Sequence, residues 1–362
     1  MNYLRVLSRI VCFGAALLII AGRAGAQDKP ISPVRDYWPT VDWKTSTPAQ
    51  QGMNSKVLAK IKPYIEKKFP AIRSVLIVRH GYLVYERYFQ YFNRDYKQGD
   101  TSITQSISSA LVGIALKEGY LKNLDQKLVD FFPEYMTPDI DPRVRKITLK
   151  HLLTMSSGFH KYDLFSKSIQ ERIRQKPIHE PGDIFLYDVD AVDLLSPILT
   201  KTTHMSLLDF AKKHLFNPIG ISEFTWDLTT YPPFDKKPYS PYYPAGLGIS
   251  LKPRDMAKFG YLYLNNGVWN GKQIVPSDFV KESTQKQIKT NILEGPEYLD
   301  YGYLWWEKKI QRYPVYIAWG YGGQIILVSH DLDMVMVITS GGNDGSNEEN
   351  LIERFIIPSI LK

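Results

Sequence analysis

The sequence predicts an α+β fold: an antiparallel sheet formed from both ends of the chain and flanked by helices, with a mostly helical lobe inserted between its halves. Three observations predict it. β-rich segments gather at residues 74–89 and again at 301–339, helical spacing dominates from about residue 100 to 230, and the strand segments are joined by short turns that suit antiparallel neighbours. The reading assigns a sheet lobe to about 53–98 and 250–362 and a helical lobe to about 99–249.

The elements follow in order. Residues 1–26 carry the marks of a secretory signal: Arg5 and Arg9, an apolar stretch from Ile10 to Ile20, and Ala24-Gly25-Ala26 as a small-x-small cleavage site. The apolar run is shorter than the roughly 20 residues of a spanning helix, and Arg23 closes it, so no stable membrane anchor is expected. Residues 27–52, rich in Pro, Ser and Thr, read as an extended leader. Ser55–Phe69 has helical spacing, with Pro63 expected to kink or split it. Ser74–Arg79 and Tyr82–Phe89 flank His80-Gly81 as a hairpin. Ser102 opens a helix whose apolar face is Ile103, Ile107, Leu111 and Ile114, and Gly119 suits its end.

Thr148 is placed to cap a helix over Leu149–Met155 before Gly158, and Ala191–Thr200 is a further helix. Tyr231–Pro244 reads as a loop rich in Pro and Tyr. Pro253–Leu264 has the proline start of a helix. Strands are expected at Tyr301–Trp306, Val315–Trp319, Gln324–Ser329 and Met334–Thr339, with Asp331-Leu332-Asp333 turning the last pair, and Asn347–Ile357 closes as a helix.

Composition narrows the function. The formal charge is +8, and the three arginines of the signal leave about +5 on the mature chain. Acidic and basic residues are interspersed, with no basic block, so nucleic acid is not expected as a partner. The single cysteine, Cys12, lies in the signal, so the exported chain rests on its own core without disulfides, which fits a bacterial periplasm. There is no His-Glu-x-x-His, the seven histidines are scattered, and no Gly-x-Ser-x-Gly occurs. Neither a metal nor another cofactor is expected, and the α/β-hydrolase route is disfavoured.

The chemistry gathers at Ser102-Ile103-Thr104-Gln105. This stretch resembles the S-x-x-K nucleophile motif of the penicillin-binding-protein and serine β-lactamase superfamily, with Gln105 in the lysine position. The resemblance extends over roughly residues 50–345 and is carried also by Ser106–Tyr135, Ile147–Phe159 and Pro253–Thr284, segments similar to the class C β-lactamase-like serine hydrolases. It implies that Ser102 is the nucleophile, near a helix N-terminus whose dipole favours a developing alkoxide. Tyr187-Asp188-Val189 resembles the family's Y-x-N, which makes Tyr187 a general base or proton relay and Asp188 a substrate-side residue, with Val189 in the place of the asparagine. Gly320-Tyr321-Gly322-Gly323-Gln324 resembles the strand beside the substrate, and the N–H groups of Gly323 and Ser102 would form an oxyanion hole.

Two functions stay open at this level. One is weak or atypical hydrolysis of an ester or amide, or of a cell-wall-like peptide. The other is a pseudoenzyme that binds a peptidoglycan-like or peptide ligand, since glutamine cannot serve as a base. A proton route through Asp188, Asp190 or a lysine of another loop is a third possibility. Tyr239–Tyr243 and Trp305-Trp306 are candidates to line the cleft, although core packing is the commoner role of such residues.

Overall fold

A computed structural model of the chain describes residues 34–159, 169–228, 243–294, 297–342 and 351–361. The signal segment, most of the Tyr231–Pro244 loop and the start of the Asn347–Ile357 helix lie outside the described residues.

The helix expected over Ser55–Phe69 is two: α1 (Ser55–Leu58) and α2 (Ile61–Lys68). Pro63 causes the break, which falls upstream of it. A proline has no N–H for the carbonyl four residues back and its ring collides with that turn, so the helix restarts with Pro63 in the first turn of α2. The hairpin forms as expected from β1 (Ile72–Arg79) and β2 (Tyr82–Tyr88), with His80 and Gly81 at φ 51° and 87°, as a tight turn between twisted strands needs. Three short strands, β3 (Gln98–Gly99), β4 (Thr225–Trp226) and β5 (Ile249–Leu251), make a small sheet, and β6 (Val268–Trp269) pairs with β7 (Lys272–Gln273).

The last third supplies β8 (Ile288–Glu294), β9 (Glu297–Tyr301), β10 (Trp306–Ile310), β11 (Tyr313–Gly320), β12 (Gln324–Ser329) and β13 (Met334–Ser340). They join β1 and β2 in one eight-stranded antiparallel sheet, ordered β2-β1-β13-β12-β11-β10-β9-β8. The two ends of the chain meet at β1 and β13, where Val75 pairs with Ile338 and Ile77 with Met336. β12 and β13 are buried along their whole length, which explains why they read as unbroken apolar runs rather than alternating ones.

Tyr301–Trp306 is not a strand. Gly302–Trp305 is a turn closed by the Gly302 N–H to the Trp305 carbonyl (2.8 Å), with Leu304 at φ 61°. A Cβ on Gly302 would lie 2.1 Å from the Ser283 carbonyl oxygen, so glycine is required there. β8 and β9 had no expectation attached.

The helices between the two halves of the sheet are α3 (Ile103–Lys117), α4 (Leu128–Phe131), α5 (Leu149–Leu153), α6 (Ile169–Ile173), α7 (Val189–Asp193), α8 (Leu195–Thr203) and α9 (Leu207–Ala211). α10 (Pro253–Leu264) runs over the bounds expected and lies against β1, β12 and β13; Gly260 permits this, since a Cβ would sit 2.6 Å from Val335. α11 (Ser277–Ser283) contacts α3. Thr148 caps α5 in a reciprocal pair with His151, and the helix stops early because Met155 is left-handed at φ 51°. Among the described residues no helix is long and apolar enough to cross a membrane.

Candidate active site

The site is organised by α3, which is buried from Ile103 to Ala115. A helix buried on every side would ordinarily be apolar throughout, yet this one carries Thr104, Gln105, Ser106, Ser108 and Ser109. All but Ser109 find a partner outside the helix. Thr104 Oγ1 accepts from the Ile249 N–H (3.2 Å), Ser106 donates to the Leu304 carbonyl (2.6 Å) and Ser108 to the Ala245 carbonyl (2.7 Å). These bonds tie the surrounding segments to the helix, as buried polar groups usually require, while the buried Ser109 hydroxyl has no hydrogen-bond partner among the described residues.

Ser102 is the N-cap residue of α3, but its side chain makes no capping bond. The chain reaches it through Thr101 at φ 46°, a costly conformation for a β-branched residue. This sharp entry is braced on both sides. The Asp100 N–H bonds the Ile249 carbonyl (2.8 Å), and Thr101 Oγ1 donates to the Tyr321 carbonyl (3.2 Å).

Tyr187 arrives from the segment before α7, held by the Leu186 N–H on the Met155 carbonyl (2.8 Å), and its ring lies nearly parallel to Trp306 at 6.0 Å. Its Oη donates to Ser102 Oγ at 2.8 Å. Gln105, one turn along α3, donates from Nε2 to Tyr187 Oη (2.8 Å) and to the Gly246 carbonyl (3.3 Å). Only the amide nitrogen can face a carbonyl oxygen, so Gln105 is the donor to Tyr187, and Tyr187 in turn donates to Ser102. The sequence-predicted Ser102, Gln105 and Tyr187 thus form one connected group.

Asp188 does not join them. It is not among the residues lining the cleft, and its carboxylate caps α7 by accepting from the Ala191 N–H (3.1 Å). This corrects its expected place on the substrate side: a short acidic residue just before a helix is better used as a cap. Asp190 and Asp193 are likewise engaged, both ion-paired with buried Arg172 (3.5 and 3.3 Å). Asp193 also accepts from the Gly246 N–H (2.8 Å), so this network fixes the loop on which Gln105 rests.

Burial raises Asp188 to about 7, against the opposing pull of the Ala191 N–H. The unfolded chain ionises the same group near 4. Between about pH 4 and 7 the folded protein therefore holds a proton that the unfolded chain has released. Stability falls as pH rises through that window, by up to about 1.4 kcal/mol per pH unit. Asp188→Asn keeps an acceptor for the cap and removes the titration. Its melting temperature relative to the wild type is expected to be higher at pH 8 than at pH 5. An equal difference at both pH values, by calorimetry, contradicts this account of the burial.

Ser102 and Tyr187 open into a cleft of about 710 Å³. One wall is the turn Tyr321-Gly322-Gly323 between β11 and β12, with Gly322 and Gly323 at φ 82° and 81°. The expected substrate-side strand is therefore the end of β11 and a tight turn, because two successive left-handed residues cannot continue a strand. Gly320 fits against the nucleophile turn, where a Cβ would lie 2.4 Å from both the Asp100 carbonyl oxygen and Thr101 Oγ1. Ser102 and Gly323 both face the cleft, and neither N–H is taken by a hydrogen bond among the described residues.

Sequence reasoning missed another part of the lining. Leu247, Gly248 and Ile249 form it with Asp227, and Trp319 joins Trp306. The Gly246-Leu247-Gly248 spacing was the available signal, since Gly248 sits at φ 102° and a Cβ on Gly246 would lie 2.5 Å from Val189. Of the aromatic candidates, Trp306 lines the cleft, Trp305 and Tyr243 are buried in the core, and residues 239–242 lie outside the described residues. Among the described residues no group of three or more His, Cys, Asp or Glu is placed to hold a metal ion.

Known proteins agree with this architecture. An uncharacterized protein of Alkalihalophilus pseudofirmus is 27% identical over 251 residues, 64% of this chain and 69% of the relative. A Bacillus anthracis protein proposed to be a 6-aminohexanoate-dimer hydrolase superposes with TM-score 0.67 at 20% identity, covering 89% of this chain and 88% of the other. A family VIII carboxylesterase superposes with TM-score 0.64 at 16% identity, covering 85% and 99%. At these identities the two structures speak for a shared fold. The Beta-lactamase family model matches residues 60–357, most of the chain, and the protein belongs to the Beta-lactamase family.

Proposed function

We propose that this protein is an exported serine hydrolase that cleaves an ester or amide through an acyl-enzyme on Ser102, slowly by the standard of sites that keep a lysine. The observation that carries the reading is the 2.8 Å contact between Tyr187 Oη and Ser102 Oγ. With Tyr187 ionised, the Ser102 proton passes to the phenolate as Oγ attacks the carbonyl carbon. The tetrahedral oxyanion is held by the Ser102 and Gly323 N–H groups. Tyr187 then returns the proton to the departing alcohol or amine, and water releases the acyl group by the same steps. Gln105 donates to Tyr187 in either protonation state and keeps it against Ser102.

The charge bookkeeping supports slow turnover. An unperturbed tyrosine ionises near 10, and glutamine lends the phenolate a neutral donor where a lysine would lend a cation. Among the described residues no lysine lines the cleft, and Asp190 is ion-paired with Arg172.

A second reading rests on the direction of the hydrogen-bond chain. Tyr187 donates to Ser102, so in this arrangement the serine proton is not directed at the tyrosine oxygen. A cleft of this kind would bind a peptide-like ligand without turning it over.

The deciding experiment is hydrolysis of p-nitrophenyl butyrate and a matched p-nitroanilide. Turnover that rises with pH and disappears in Ser102→Ala is expected for the hydrolase. Turnover equal in Ser102→Ala excludes the acyl-enzyme.

A further inference from the structure

The cleft has an unusual charge balance. Its described residues include four aromatic rings, Tyr187, Trp306, Trp319 and Tyr321, and among them Asp227 is the one carboxylate. Among the described residues no Lys, Arg or His lines it. Asp227 follows β4, where its N–H bonds the Gly248 carbonyl (2.8 Å), so its backbone is fixed while its side chain stays exposed. Tyr321 stands 70% exposed on the Gly-rich turn, unlike most large apolar side chains of this protein. Trp306 and Trp319 meet edge to face (6.2 Å, 72°), which leaves ring faces turned in different directions.

Aromatic faces attract cations and do nothing for anions. A carboxylate lining the same cleft, Asp227, adds to the attraction for a positive charge. Among the described lining residues a carboxylate ligand finds no counter-charge and meets Asp227 as a repulsive neighbour. We propose that the cleft selects substrates that carry an ammonium group on an apolar body, and disfavours carboxylate-bearing ones such as penicillins or peptide C-termini. As a statement about substrates it rests on the hydrolase reading above; as a statement about binding it does not.

The test separates the two. Binding of choline, its neutral isostere 3,3-dimethylbutan-1-ol and the anion 3,3-dimethylbutanoate to the Ser102→Ala protein is followed by tryptophan fluorescence or NMR titration. Choline is expected to bind about 5–10-fold tighter than the neutral isostere, with the anion weakest. Asp227→Asn in the same background is expected to reduce the choline preference to about 2-fold, the part that the rings retain. In the wild type, butyrylcholine is then expected to have a higher kcat/KM than 3,3-dimethylbutyl butyrate. A choline preference at or below one, a preference unchanged by Asp227→Asn, or tightest binding of the anion overturns the proposal. No turnover of either ester with the binding preference intact supports the cation site and counts against hydrolysis.

Discussion

Tyr187→Phe is expected to lower the rate of Ser102 acylation by about 10²–10⁴-fold, the usual cost of losing a positioned acid–base group. The substitution is conservative for packing, since the phenylalanine ring retains the stacking on Trp306. What disappears is one oxygen that bonds both Ser102 and Gln105. Gln105 keeps the Gly246 carbonyl but loses one partner, and leaving a buried donor unsatisfied costs about 1–3 kcal/mol. Thermal unfolding separates this from catalysis: a modest loss of stability with a large loss of acylation is the expected pair. Single-turnover release of p-nitrophenol is the measurement, and a rate within about 3-fold of the wild type would remove Tyr187 from the mechanism.

Gln105→Lys is expected to act in the opposite direction. The position is buried, 2% exposed, and lies one helical turn after Ser102 on the same face of α3. An ammonium there would face Tyr187 Oη and the Gly246 carbonyl, the groups the amide bonds now. A cation beside the phenol favours its ionised form, and the coupled system would move the alkaline limb of the pH–rate profile downward. Acylation at pH 7 is expected to rise at least about 10-fold, the effect of one pKa unit. Burying the ammonium costs stability, so the melting temperature should fall even as the rate rises. An unchanged rate and pH profile in a folded variant would mean that the missing cation does not limit this site.

The sequence was most informative where one local rule acted alone. The β1–β2 turn, the start of α10 at Pro253 and the bounds of β12 follow from turn chemistry, helix capping and apolar runs. Tyr301–Trp306 misled because its aromatic density mimics a strand, while the turn is imposed by Gly302 pressed on the Ser283 carbonyl. β8 and β9 were hidden because charged residues interrupt their apolar pattern, as at Lys289 and Asp300. In the candidate site, Ser102, Gln105 and Tyr187 were picked out by their resemblance to family motifs, and the structure brings the three together. The role of Asp188 was not, because capping and substrate contact draw on the same residue types. Asp227 and Trp319 reach the cleft only through the pairing of distant strands, which local sequence does not report.

The central claim is that Ser102 is a nucleophile that works without the lysine. Intact mass of the purified protein after incubation with a fluorophosphonate, and separately with a penicillin, tests it most directly, with Ser102→Ala as the control. The account predicts a single fluorophosphonate adduct that requires Ser102 and forms faster at higher pH, with little or no penicillin adduct. A folded wild-type protein that gains no mass from either reagent, or gains it equally in Ser102→Ala, would contradict the account and leave ligand binding as the function of the cleft.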